Sequence, residues 1–357
     1  MSPSVEVVIL HPAVAPGVGP LERAVSEARL ALAERHRANF LAAGADAARI
    51  VTGPAGETAT FGDRLRAIAR DLGEGGLVVL GSGAVPLSTR ADRRAFVGAA
   101  AAAAPGALAN NRYSADVIAI AGARAALAGL PDLASDNALP RWLDEVAGVP
   151  VRDLRRRWRL GVDIDGALDL VLLGGRWSAG LPPETTDVVR GRLDLVRAVV
   201  ADPRAEVVVA GRTSPAALAW LERTGAARTR ALVEERGMRT ALPGQRPPAS
   251  ALGLLLDRDG PASLGAHLAR LGDAAIVDSR VLLAHRLGPD PRAWPPAEDR
   301  SASDLLLAER VGDPWLRALT AAAADAPIPV LLGGHTLVGP GLRLAVGRGR
   351  SKHDPDG

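Results

Sequence analysis

Short apolar runs alternate with longer amphipathic stretches, and this alternation constrains the fold more than any single motif. In the first half Val5–Leu10, Ala48–Thr52, Leu77–Leu80, Ala115–Ile120, Val149–Leu154 and Leu160–Asp165 read as strands. Leu21–Ala43, Gly62–Leu72, Thr89–Ala104 and Asn137–Ala147 carry helical spacing between them. Thr89, with Asp92 three residues later, has the form of a capping box at a helix start. Strands that alternate with helices imply a parallel sheet covered on both faces. The expectation is therefore an α/β protein. Residues 1–175 should form a mostly parallel, Rossmann-like sheet flanked by helices.

Gly174-Gly-Arg-Trp-Ser-Ala-Gly-Leu-Pro-Pro183 is rich in chain-breaking residues and reads as a domain boundary. A second, smaller α/β domain is expected over 184–346. Its helices are Thr185–Val200, Ser214–Thr224, Ala249–Asp257, Ala262–Leu271, Arg300–Val311 and Pro314–Ala324, with Ser214-Pro215 as cap and first-turn pair. Its strands are Glu206–Ala210, Ala274–Val277 and Pro329–Leu332, and Thr336–Val346 reads as strand-like. The polar tail 347–357 is expected to be disordered.

Composition removes several classes of function. Hydrophobic residues make up 48% of the 357 and charged residues 23%, which is globular composition. The chain has no Cys, so neither a disulfide framework nor a thiolate metal site can form. The sequence pI of about 10.2 is not a nucleic-acid signal, because the net charge is only +3. Lys352 is the only lysine, and arginine lifts the pI without creating a strong field. No stretch has the length of a membrane span, and the amino terminus lacks signal-peptide character. The expected partner is a small molecule in the cytoplasm, with neither nucleic acid nor membrane involved.

Chemistry concentrates in few places. In Leu160-Gly-Val-Asp-Ile-Asp165 the strand period puts Asp163 and Asp165 on one face, as acids at a metal or phosphate site commonly are. A cap with a surface ion pair is the alternative. Asn110-Asn-Arg-Tyr-Ser114 holds the only Tyr of the chain beside Arg112, and is either a ligand-binding loop or an Asn-rich turn.

Several segments taken in order resemble the nucleotidyltransferases of the glycosyltransferase-A-type fold. The nearest members are the small guanylyltransferases of 2-phospholactate or the molybdenum cofactor. The segments are the first strand and its loop, Gly19-Pro-Leu-Glu-Arg-Ala24, Val78–Asp92, Asn110–Ile120, Ser135-Asp-Asn-Ala-Leu-Pro140 and Val162-Asp-Ile-Asp165, with Asp169-Leu170 completing a D-x-D-x-x-x-D-L pattern. The likeness covers about residues 5–173. It implies a nucleoside triphosphate or another phosphorylated small molecule as substrate. Gly17, Gly19, Asn111, Arg112, Tyr113 and Ser114 would lie at the ligand. Mg²⁺ would be held by Asp165, aided by Asp163. Two departures stand out: the position of the family's other metal-binding Asp is Ala84, and the first loop, His11–Pro20, contains three prolines.

In the second half polar residues gather where strands end, which is where open α/β sheets bind ligands. Arg212 and Ser214 follow one strand, Asp278-Ser-Arg280 ends a second, and Gly333-Gly-His335 ends a third. The run Glu298-Asp-Arg-Ser-Ala-Ser-Asp304 reads as a solvated helix start. Three functional readings follow. They are a nucleotidyltransferase-like enzyme, a catalytically degenerate scaffold that binds a small molecule, and an enzyme whose site lies in the second domain or between the domains.

Overall fold

The computed structural model describes residues 3–53, 59–133, 136–235 and 246–347. Ser135 and the tail 348–357 lie outside the described residues. The chain divides into two compact units, Met1–Val18 with Ser26–Ile164, and Gly19–Val25 with Asp165–Gly357. The Gly/Pro-rich stretch 174–183 falls inside the second of these.

The first unit is built on a six-stranded sheet of β1 (Val5–His11), β2 (Ala47–Thr52), β3 (Gly76–Gly81), β4 (Ala107–Ala109), β5 (Val117–Ile120) and β6 (Val151–Asp153). The spatial order is β2-β1-β3-β5-β4-β6. β1 runs parallel to β2 and β3, and β4 to β6, whereas β5 is antiparallel to both β3 and β4. The sheet is therefore mixed, with one reversed strand. Val7, Val8 and Ile9 are each fully buried, as are Leu77 and Val78, which is why these strands read as continuous apolar runs. Helices Phe61–Asp71 and Arg90–Ala100 begin on reciprocal Thr–Asp capping boxes at Thr60/Asp63 and Thr89/Asp92.

The second unit holds a four-stranded, fully parallel sheet of β7 (Glu206–Gly211), β8 (Arg228–Val233), β9 (Ala274–Asp278) and β10 (Val330–Gly333), in the order β10-β9-β7-β8. Helices Pro183–Val200 and Pro215–Thr224 bracket β7 in sequence, and the second is capped by Ser214, whose Oγ accepts from the N–H of Ala217. β8 was not expected. It is an edge strand with Arg228 and Arg230 outward, so its apolar pattern is interrupted by the charges that guard an open edge. β4, at three residues, is too short to leave a pattern.

Two sequence expectations are corrected. Leu160–Asp165 is not a strand: Trp158–Gly161 forms a 3-10 turn, and only an isolated antiparallel bridge joins Asp163 to Ala84. Leu160, Val162 and Ile164 are nonetheless buried, so the period of two reported burial of alternate residues rather than ladder pairing. Thr336–Val346 forms two short helices, His335–Val338 and Leu342–Val346, separated by Gly339-Pro-Gly341. A short apolar run cannot distinguish a buried helix turn from a strand.

Gly76 opens β3 against the helix Arg90–Ala100, and a Cβ there would overlap the carbonyl of Ala100. Gly76→Ala should destabilise the protein by about 1–3 kcal/mol, the usual cost of overpacking, read as a lowered urea midpoint at unchanged m-value. An unchanged midpoint would show that this packing yields without cost.

Candidate ligand site at the carboxyl edge of the second sheet

In the first unit, the polar loop after β4 is largely spent on its own geometry. Asn110 Oδ1 accepts from the N–H groups of Asp116 and Val117, while its Nδ2 donates to Asp116 Oδ2 and the Leu160 carbonyl. Asn111 Oδ1 accepts from Tyr113 N–H at 3.0 Å, and Ser114 Oγ donates to Asn137 Oδ1 at 2.7 Å. Arg112 is ion-paired to Asp144. Tyr113 is exposed, with the Arg155 guanidinium 5.5 Å from its ring centroid. This is the arrangement of a cross-braced turn.

The loop after β3 is held from outside. His36 Nε2 bonds the Ala84 carbonyl at 2.8 Å, Arg35 donates to the Pro86 carbonyl, and Arg93 donates to the Ser88 carbonyl and hydroxyl. Between these clamps Val85 sits at φ +43°, a left-handed conformation that a β-branched residue adopts only under constraint. Burial keeps the His36 ring neutral, its pKa pushed down to about 4.

In the second unit, Glu298 covers the first turn of the helix Pro20–Leu41, accepting from Leu21 N–H at 3.3 Å and Glu22 N–H at 2.9 Å. A Cβ on Gly19 would overlap this carboxylate, so Gly19 serves the approach of the chain's own acid. Gly17, at φ +79°, has open space around it and makes the turn before. Ala84 stands where the resemblance expects a further acid, and it is joined to Asp163 by an isolated antiparallel backbone bridge. Among the described residues no group of three His, Asp or Glu could hold a metal.

Charge gathers instead at the carboxyl edge of the four-stranded sheet. The chain leaves β7 for β8 on one side and then crosses to β9 on the other, and such a reversal opens a crevice between the two strand ends. Arg212, just past β7, spans that gap to Asp278 at the end of β9, with Nε to Oδ2 at 2.6 Å and Nη2 to Oδ1 at 3.1 Å. Gly211 lies at φ +125°, and any Cβ there would overlap the Cβ of Asp278. Asp278 also accepts from Arg280 N–H, capping the helix Ser279–Leu287. Arg280 reaches back to Asp304, the last residue of the helix Ala297–Asp304, with Nη1 to Oδ1 at 2.5 Å and Nη2 to Oδ2 at 2.6 Å. Ser279 Oγ joins β9 to β10 through the Gly333 carbonyl. The planar guanidinium fork suits both bidentate pairs.

Asp169 is the third buried acid. One of its oxygens accepts from the N–H groups of both Asp165 and Gly166, each at 2.8 Å, at the start of the helix Ala167–Leu173. Burial, then the Asp165 carboxylate, pushes its pKa up to about 7. For Asp278 burial acts upward, but Arg212 and then Arg280 and His335 outweigh it and hold the carboxyl below its ordinary value. Burial raises Asp304 above its ordinary value despite Arg280, while Asp304 more than offsets the burial of Arg280 and keeps it protonated.

The sequence-singled residues Arg212, Asp278 and His335 thus come to one edge, His335 being exposed. Ser214 acts as a helix cap instead. Asp299, Ser301, Ser303 and Asp304 are buried, which corrects the reading of 298–304 as a solvated helix start. Sequence reasoning underrated Arg280, Arg300 and Asp304, because nothing in a helix start announces a partner 24 residues away. No family model, no curated protein and no solved structure matches the chain.

Removing one partner of a buried pair leaves an uncompensated charge. Arg280→Met should therefore cost about 3–5 kcal/mol, and Arg280→Met with Asp304→Leu markedly less, in a denaturation cycle. Equal losses in the single and double variants would show that the two side chains are energetically independent.

Asp169 supplies a pH signature. A carboxyl whose pKa is raised by folding binds more protons in the native than in the unfolded state, so its contribution to stability falls as pH rises from about 4 to about 7. The stability of Asp169→Asn relative to the parent should rise over that window and level off above it. A pH-independent difference would contradict the raised value.

Proposed function

We propose that the protein binds a small molecule carrying a phosphate or comparable anionic group at the carboxyl edge of β7, β9 and β10, and acts on it as an enzyme. The observation that carries this reading is Arg300. It is half-buried on the helix Ala297–Asp304, donates through Nη1 to the Pro295 carbonyl at 2.7 Å, and forms no ion pair among the described residues. Burial and then the like charge of Arg280 lower its pKa, while Asp304, Glu22 and Asp165 offset this in part. A cation held under those conditions gains most from an incoming anion.

The surrounding groups support the same chemistry. Arg212 and Arg280 are already neutralised by Asp278 and Asp304, so they fix the floor of the site and leave Arg300 for the ligand. Asp169 is a carboxyl that titrates near neutrality, as a general acid–base group should. Asp165, whose charge acts on Asp169, and His335, whose charge acts on Asp278, are both exposed. The nucleotidyltransferase reading of the first half rests on the resemblance alone. A nucleoside triphosphate is therefore one phosphorylated candidate among several.

The test is thermal stabilisation by orthophosphate, pyrophosphate, sugar phosphates and nucleoside triphosphates, the last with and without Mg²⁺. At least one should raise the melting temperature, and Arg300→Met should weaken its binding by about tenfold or more, the worth of a charged hydrogen bond. Binding unaffected by Arg300→Met, or none by any member of the panel, would end this reading. A response restricted to nucleotide with Mg²⁺ and indifferent to Arg300 would favour the first-half reading.

A further inference from the structure

The first unit has its own strand-order reversal, and a buried Ser–His pair spans it. The chain leaves β1 for β2 on one side and crosses to β3 on the other, so the ends of β1 and β3 flank the crevice that such a reversal opens. His11 is the last residue of β1, and Ser82 is the first residue after β3, on a turn between Gly81 and Gly83. His11 Nδ1 and Ser82 Oγ are 3.0 Å apart, the reach of a nucleophile and its base. Ser82 N–H donates to the Leu10 carbonyl, which locks the serine backbone against β1. Arg29 donates Nε to the Ile164 carbonyl at 2.6 Å and lies against Gly83, where a Cβ would come within 3.1 Å of that nitrogen. A nucleophile, a base and a fixed positive charge therefore meet at one strand end.

We infer that Ser82 and His11 form a nucleophile–base pair that accepts acyl groups from small carboxylic esters, with Arg29 facing the developing negative charge. The proposal is independent of the anion site on the second sheet. Ser82 Oγ attacks the ester carbonyl and its proton passes to His11 Nδ1. The tetrahedral oxyanion is stabilised by the Arg29 charge. Its collapse breaks the bond to the alkoxide, which leaves as the alcohol with the proton from His11. Water then attacks the acyl-serine, His11 takes the water proton, and that proton returns to Ser82 Oγ as the carboxylic acid departs. Ester and water give acid and alcohol, with the protein unchanged. Burial, and then Arg29, hold the His11 pKa below its ordinary value, so the ring is the neutral base that the first step needs. Ser82 is 2% exposed and His11 6%, which sets the acyl group as a small one.

The experiment is covalent trapping of the full chain with methanesulfonyl fluoride, a probe as small as the acyl group, read by intact mass and peptide mapping. The expected result is one sulfonyl group on Ser82 and none in Ser82→Ala. His11→Asn should slow the labelling about 100-fold, the worth of a positioned general base. The parent should also release p-nitrophenol from p-nitrophenyl acetate with a burst of up to one equivalent per chain. Mapping of the parent decides the matter without any variant. Label on other residues with none on Ser82 overturns the proposal, as does labelling of folded His11→Asn at the parent rate. A folded Ser82→Ala that retains the burst would overturn it equally.

Discussion

The bidentate pair of Arg212 with Asp278 is the interaction on which the second unit depends. It lies where two parallel strands end side by side, at a point that a buried carboxylate could not occupy alone. Asp278 is the hub: it neutralises Arg212, caps the helix that follows β9, and lies within the field of Arg280 and His335. Arg280 then carries the charge pattern outward to Asp304, and Asp304 ends the helix that bears Arg300 and Glu298. Replacing a buried ion pair by well-packed hydrophobic residues is often neutral or stabilising, whereas removing one partner alone is costly.

The first unit solves a different problem. Its polar loops are internally braced, and the loop after β3 is gripped at alternating carbonyls by His36, Arg35 and Arg93 with Val85 held in a left-handed conformation. Strain of about 1–3 kcal/mol per such residue persists only where the surroundings over-determine it. The same loop begins with Ser82, so the clamp fixes a reactive position as well as a turn. Aliphatic packing supplies the support: Val7, Val8, Ile9, Leu77 and Val78 are buried at 3% exposure or less, with scarcely an aromatic among the core residues.

Much of the architecture was legible from local pattern. The strands at Val5, Gly76, Glu206 and Ala274 announced themselves because burial on both faces requires continuous Val, Ile, Leu or Ala. Thr89 with Asp92, and Ser214 with Pro215, announced their helices because a cap is satisfied within four residues. The segments at 160–165 and 336–346 misled for the same reason. Periodicity reports which side chains are buried, not whether a neighbouring strand is present to receive the hydrogen bonds.

The sequence by itself determined the class: alternating α and β segments, an aliphatic core, no cysteine chemistry, and polar residues placed at strand ends. Only the tertiary structure decided which of those polar residues meet. Arg212 and Asp278 are 66 positions apart, Arg280 and Asp304 are 24 apart, and His11 and Ser82 are 71 apart. The first and last of these pairings are set by strand order, because parallel strands joined by crossovers bring distant strand ends into register, and the second by the packing of two helices; no local rule contains either. Conversely, Arg112, Asn111 and Ser114 looked available in the sequence and are committed in the fold to Asp144, Tyr113 and Asn137. Composition fixes which charges a chain owns, and topology fixes which of them remain for a ligand.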